Sequence, residues 1–135
     1  MNASDVFFYG LFMDEKVLRD NGVHPRAPRK AVVHGYRLKI GRRAMLVPRP
    51  DAKAFGMVFA LTERETEALY GEPGLELYRP EPVTACFEDG TSGAVTTFNL
   101  RDPAAAGEPS PEYAARLRAV LERQGFPADD LRSAE

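Results

Sequence analysis

The stretch Phe7-Phe8-Tyr9-Gly10-Leu11-Phe12-Met13 carries the residue types best suited to holding a small polar group. An apolar run breaks at a glycine and passes directly into Asp14-Glu15-Lys16-Val17-Leu18-Arg19-Asp20, which reads as a short helix. Where a strand, a tight turn and a helix start meet, Gly10 can take backbone angles that other residues avoid, and successive N–H groups can point into one concavity. Such a concavity suits an anion or a carbonyl oxygen. The same residues would also serve as plain core in an unrelated fold, so the turn needs support from elsewhere in the chain.

Other reactive types are sparse. Cys86 is the single cysteine, which excludes an internal disulfide and offers no metal-binding spacing. It lies in the alternating segment Val83-Thr84-Ala85-Cys86-Phe87 and reads as a small buried hydrophobe rather than a nucleophile. No second ligand or nucleophile is adjacent to His34, so a structural role is expected.

The balance of charges narrows the partners. Asp and Glu number 20 against 18 Lys and Arg, a formal net charge of -2, which gives no overall attraction to nucleic acid or an anionic membrane. The basic cluster from Arg26 to Arg49 reads as solvated strand edges and loops. Met1-Asn2-Ala3-Ser4-Asp5 lacks a basic region followed by an apolar run, and no segment approaches membrane-spanning length, so a soluble cytoplasmic protein is expected. A single domain over residues 1–135, 44% hydrophobic, is long enough for one sizeable core.

The elements that must position the turn follow from pattern. Val6 to Tyr9 predicts a first strand buried on both faces. The short helix ends at Asn21-Gly22, and Val23 to Pro28 predicts a loop because of its prolines. Tyr36, Leu38 and Ile40 alternate with Arg37 and Lys39, the period of a half-buried strand over Lys30 to Ile40, with Gly35 marking a bulge or a close approach. Ala44 to Pro48 predicts a short strand closed by Pro48 and Pro50, and Ala54 to Leu61 a separate central strand.

Thr62-Glu63-Arg64-Glu65 is a capping-box pattern that starts a helix through Leu69. Strands are expected from Tyr78 to about Phe87 and from Ala94 to Phe98, joined by the turn Glu88 to Gly93. After a polar linker from Arg101 to Pro109, Ser110 caps a helix with Pro111 in its first turn. This helix packs through Tyr113, Leu117, Val120 and Leu121 and stops at Gly125. Strands separated only by short helices predict an α+β domain: a small mixed, mostly antiparallel β-barrel with peripheral helices.

The order of landmarks resembles the gamma-glutamyl cyclotransferase-like family. The pieces are Tyr9-Gly10 with its turn; Gly35-Tyr36-Arg37-Leu38; Gly56-Met57-Val58-Phe59-Ala60-Leu61 followed by a helix; Glu72 preceding Tyr78-Arg79; Pro109-Ser110-Pro111-Glu112-Tyr113; and Gly125-Phe126-Pro127. The resemblance implies a reaction that needs neither metal nor cofactor. The α-amine of a gamma-glutamyl group attacks its own γ-carbonyl, releasing 5-oxoproline and the amine formerly attached.

Carried onto this sequence, the resemblance makes Glu72 the general acid/base, with Glu76 the alternative if the turn is realigned. Tyr78 and Tyr113 become pocket walls or hydroxyl donors, and the backbone at Tyr9, Gly10, Leu11 and Phe12 the cradle for a carboxylate or oxyanion. The family usually places a serine or threonine after Tyr-Gly, where this chain has Leu11 followed by Phe12. Contacts to the leaving amine are expected from the loops Gly41 to Arg43 and Arg101 to Pro109. A ligand-binding protein that has lost turnover, an interaction module on an unrelated barrel, and a hydrolase on the same pocket stand beside the cyclotransferase reading. The sequence leaves the leaving amine and the oligomeric state open.

Overall fold

Burial of a short aromatic segment on both of its faces demands a sheet that wraps around it, and the chain supplies one. The structure, a computed structural model, describes residues 3–71 and 77–126. Strand β1 (Ala3–Phe8) leads through a 3-10 turn (Leu11–Met13) into helix α1 (Glu15–Asp20). Strands β2 (Arg26–Ile40) and β3 (Ala44–Thr62) form a long hairpin, followed by helix α2 (Glu63–Tyr70). Strands β4 (Tyr78–Phe87) and β5 (Ser92–Leu100), a 3-10 turn (Pro103–Ala106) and helix α3 (Pro111–Gln124) complete the described chain.

The strands close into a barrel in the order β1-β3-β2-β4-β5, and β5 returns to β1. Every pairing is antiparallel except β1 with β5, which is parallel and short: Val6 opposite Thr96 and Phe7 opposite Thr97. The buried Thr97 hydroxyl donates to the Phe7 carbonyl at 2.8 Å and reinforces that brief seam. Val6, Phe7, Phe8 and Tyr9 are all buried, as a strand with neighbours on both faces must be.

Two expectations about proline fail for one reason. β3 runs unbroken through Pro48 and Pro50, and β2 begins at Arg26, ahead of Pro28. In the β2–β3 ladder the partners jump from His34 with Lys53 to Tyr36 with Pro48, so residues 49–52 face no partner across the bulge at Gly35, whose φ is 88°. A second shift between Arg26 and Arg29 takes in Pro28, next to Ala27 at φ 52°. A proline costs a ladder hydrogen bond only where its missing N–H has an acceptor waiting; the bulges leave Pro28 and Pro50 without a ladder partner, while Pro48 keeps its register opposite Tyr36.

The helix signals hold. Thr62 accepts from the Glu65 N–H at 3.2 Å while the Glu65 carboxylate accepts from the Thr62 N–H at 2.9 Å, a complete capping box. The Ser110 hydroxyl accepts from the Tyr113 N–H at 3.2 Å, Pro111 follows in the first turn, and Gly125 ends α3 at φ 81°. Leu117, Val120 and Leu121 are buried on the face predicted. The linker from Arg101 to Pro109 is not wholly irregular, because Asp102 accepts from the Ala104 N–H and starts the second 3-10 turn.

Cys86 departs from its reading. It is half-buried, beside an open groove with Lys30, His34 and Phe126, because β2–β4 pairing ends at Val32 and Cys86. His34 is exposed.

Candidate functional site

The segment where β1 leaves the barrel meets the start of β3, the end of α2, the start of β4, the outer side of β5 and the first turn of α3. Between them lies a cavity of about 210 Å³, small beside drug-sized sites, whose walls include Tyr9, Gly10, Leu11, Phe12, Tyr78 and Tyr113. All six side-chain and turn positions expected from the sequence as binding residues are thus brought to one place. Glu72 and its alternative Glu76 lie outside the described residues.

The reason for Gly10 differs from the one expected. Its φ of -110° and ψ of -151° are ordinary extended angles, so no special conformation calls for glycine. Space does: a Cβ there would sit 3.3 Å from the Tyr113 hydroxyl and 3.6 Å from the Ala44 Cβ.

Two of the tyrosine hydroxyls serve the frame. Tyr78 donates to the Ala44 carbonyl at 2.6 Å, tying β4 to the beginning of β3. Tyr9 donates to the Phe98 carbonyl at 2.8 Å, with Asn99 Oδ1 at 3.1 Å, tying the strand exit to β5. Asn99 in turn donates from Nδ2 to Glu81 Oε1 at 3.1 Å, and Tyr36 reaches the other carboxylate oxygen at 3.3 Å.

Sequence reasoning missed Tyr70 and Phe98, which also line the cavity. Their rings stack at 4.1 Å with 19° between planes, and Tyr70 meets Phe12 edge-on at 6.2 Å and Tyr78 at 5.9 Å. The one available signal was an aromatic residue directly after the predicted end of the helix at Leu69, a position that the structure includes in α2. The loops Gly41 to Arg43 and Arg101 to Pro109, expected to face the leaving amine, pack on one another. Arg43 N–H donates to the Ala106 carbonyl at 3.0 Å and its guanidinium to Ala105 at 3.1 Å.

Removal from water sets the acidity of these phenols. Burial raises Tyr9, Tyr70 and Tyr78 well above the usual value of 10.0, and neighbouring tyrosines add to the effect. Burial pushes Tyr113 up to about 12. At neutral pH every one is a protonated, neutral donor. Among the described residues no side chain lining the cavity is charged, and no group of His, Cys, Asp and Glu is arranged to hold a metal ion.

A closed, mixed barrel with peripheral helices and an aromatic cavity at the exit of its first strand defines a small α+β barrel fold. Among such barrels the chain belongs to the gamma-glutamyl cyclotransferase, AIG2-like family, whose model matches residues 6–115.

Solved structures agree on the fold. An uncharacterized protein from Homo sapiens superposes with a TM-score of 0.78 at 16% identity, over 100% of this chain and 89% of that one. A gamma-glutamyl cyclotransferase gives 0.77 at 15% identity, over 98% and 88%. A yeast gamma-glutamyl cyclotransferase specific to glutathione gives 0.67 at 12% identity, over 100% and 98%. No match was found among the curated proteins. No described helix is long and apolar enough to cross a membrane.

Proposed function

We propose that the protein is a cyclotransferase that converts a gamma-glutamyl amine or small gamma-glutamyl peptide into 5-oxoproline and the free amine. The observation that carries this reading is the convergence of Tyr9 to Phe12, Tyr78 and Tyr113 from three distant parts of a chain of this family onto one small cavity. The nucleophile belongs to the substrate, so a cavity that holds the folded conformer supplies much of the acceleration. A proton carrier must take a proton from the α-ammonium and return it to the departing nitrogen.

Glu72 is assigned that role, with Glu76 as the alternative. Support comes from chain connectivity. Tyr70 and Tyr78 both line the cavity, and Glu72 and Glu76 lie between them in the sequence. Beside aromatic surface a carboxyl group gains proton affinity, which suits exchange near neutrality.

The test is release of 5-oxoproline from a panel of gamma-glutamyl amides, with Glu72→Gln and Glu76→Gln assayed beside the wild type. Loss of turnover in Glu72→Gln alone supports the assignment, and loss in Glu76→Gln alone moves it to that residue. No turnover across the panel by the wild type would overturn the enzyme reading. A second reading, a binding protein without turnover, is favoured by the apolar Leu11 and Phe12 at the turn. Its mark is a gamma-glutamyl compound that raises the melting temperature and is recovered unchanged.

A further inference from the structure

A second opening lies on the outer face of the barrel, where β2 and β4 pair only at Ala31 with Phe87 and Val32 with Cys86. Its volume of about 360 Å³ falls within the usual range of small-molecule sites. The floor is apolar. Val32 stands opposite Phe55 in the β2–β3 ladder and opposite Cys86 in the β2–β4 ladder, and Phe126 closes the groove from the end of α3. All four are half-buried, so this floor is open to solvent.

Charge is arranged along it. Lys30 Nζ lies 5.7 Å from the centre of the Phe126 ring, Phe126 meets Phe55 at 5.6 Å, and Lys53 Nζ lies 5.5 Å from the centre of the Phe55 ring. An ammonium, two adjoining rings and a second ammonium thus follow one another. His34, on the same face of β2 as Lys30 and Val32, is the ladder partner of Lys53, which puts the two side chains next to each other.

Among the described residues neither lysine is in an ion pair. The rings attract the ammoniums but leave their charge in place. Glu88 borders the groove from β4, a single carboxylate that pairs with neither lysine. A lone lysine on a strand is solvated and needs no partner. Two that rest on adjoining, solvent-open rings in one concavity differ, because whatever offsets their charge there also covers apolar surface.

We infer that this groove binds a small organic anion with a flat apolar body, which lies on Phe55 and Phe126 while its acid group is held by Lys53 and a ring N–H of His34. An imidazole has a nitrogen that donates in either protonation state, so His34 serves whether neutral or charged. Covering the two rings removes apolar area from water, and the ammoniums favour an anion over a neutral molecule of the same shape. Lys30 adds attraction at the other end of the row. The groove shares no lining residue with the cavity of Tyr9 and Tyr113, so the inference stands apart from the cyclotransferase reading.

The probe is 2-naphthoate, with 2-naphthamide as its neutral counterpart and acetate as the acid group without rings. Each is titrated into the isotope-labelled full chain while backbone amide resonances are followed by NMR. 2-Naphthoate should shift Val32, Lys53, Phe55 and Phe126 and bind at least about fivefold more tightly than the amide, and acetate at the same concentration should leave these residues unmoved. Lys53 is exposed, so Lys53→Glu should keep the wild-type melting temperature while weakening 2-naphthoate about tenfold.

Equal affinity for acid and amide, wild-type affinity in Lys53→Glu, or shifts confined to the Tyr9 and Tyr113 cavity would each overturn the assignment. So would a groove silent to the probe, and if sedimentation then shows self-association that Lys53→Glu abolishes, the face belongs to a second copy of the chain.

Discussion

Asn99 pairs with Leu46 as if its side-chain amide were one more peptide group. Nδ2 donates to the Leu46 carbonyl and Oδ1 accepts from the Leu46 N–H, each at 2.9 Å. β1 pairs with β3 only from Met57 to Thr62, so the first residues of β3 have no strand beside them on that edge, and Asn99 supplies the missing rung. Oδ1 also accepts from the Leu100 N–H at 3.0 Å. Next along the same edge, Tyr78 completes the Ala44 carbonyl. The edge at the start of β3, whose Ala44 lines the cavity, is therefore satisfied by side chains.

Replacing Asn99 with Leu should leave the buried Leu46 and Leu100 groups unpaired. The expected loss is on the order of 3 kcal/mol. For a chain of this size that lowers the melting temperature by about 10 °C, to be read by thermal unfolding. A melting temperature within a degree or two of wild type would show that the rung contributes nothing.

Gly56 should tolerate no side chain. A Cβ there would lie 2.2 Å from the Phe8 carbonyl oxygen and 2.8 Å from the Phe7 ring, both in the segment that carries the turn. Gly56→Ala is expected to destabilise by about 3 kcal/mol or more and to lower soluble yield, whereas Gly93→Ala, with open space around it, should not.

Gly10→Ala is a milder case. The backbone angles suit alanine, and the added methyl group presses on the Tyr113 hydroxyl at 3.3 Å. Stability should change by less than about 1 kcal/mol, while turnover of a gamma-glutamyl amide falls at least about tenfold through displacement of Tyr113. Full activity in this variant would argue that Tyr113 does not touch substrate.

Alkaline pH should unfold the protein early. All five tyrosines, Tyr36 included, are held above their usual 10.0, chiefly by burial. A group with a raised folded pKa contributes its full stability below the unfolded value, and that contribution fades as pH rises past it. Denaturant midpoints should thus fall steeply above pH 10. Phenolate absorbance should appear together with unfolding and not before it.

Acid acts through Glu65. Partial burial raises its carboxyl, but hydrogen bonds from Thr62, His24 and Arg26 outweigh this and hold it at about 2, against 4.5 ordinarily. A lowered folded pKa stabilises above the unfolded value and the benefit is lost as pH falls from about 4.5 toward 2. Arg26 is half exposed, so solvent screening limits the effect to about 1 kcal/mol. Glu65→Gln should flatten the acid limb of the stability profile measured by urea unfolding.

Local patterns in the sequence settled which segments become helices and strands and where most of them stop. Thr62 with Glu65, Ser110 with Pro111, and Gly125 act within a turn of their own position, and the alternation at Tyr36, Leu38 and Ile40 is a property of one strand. The family, too, was legible from landmarks in order. Register and meeting were not: whether Pro50 breaks β3 depends on which β2 residue stands opposite, and that is fixed by bulges that two strands share. Gly10 is required by a tyrosine more than a hundred residues later, and Tyr70 becomes part of a site only once Phe98, Tyr113 and the turn meet it. Short-range hydrogen bonding and periodicity are written along the chain, whereas steric fit and the absence of a partner are relations between distant residues that exist only after folding.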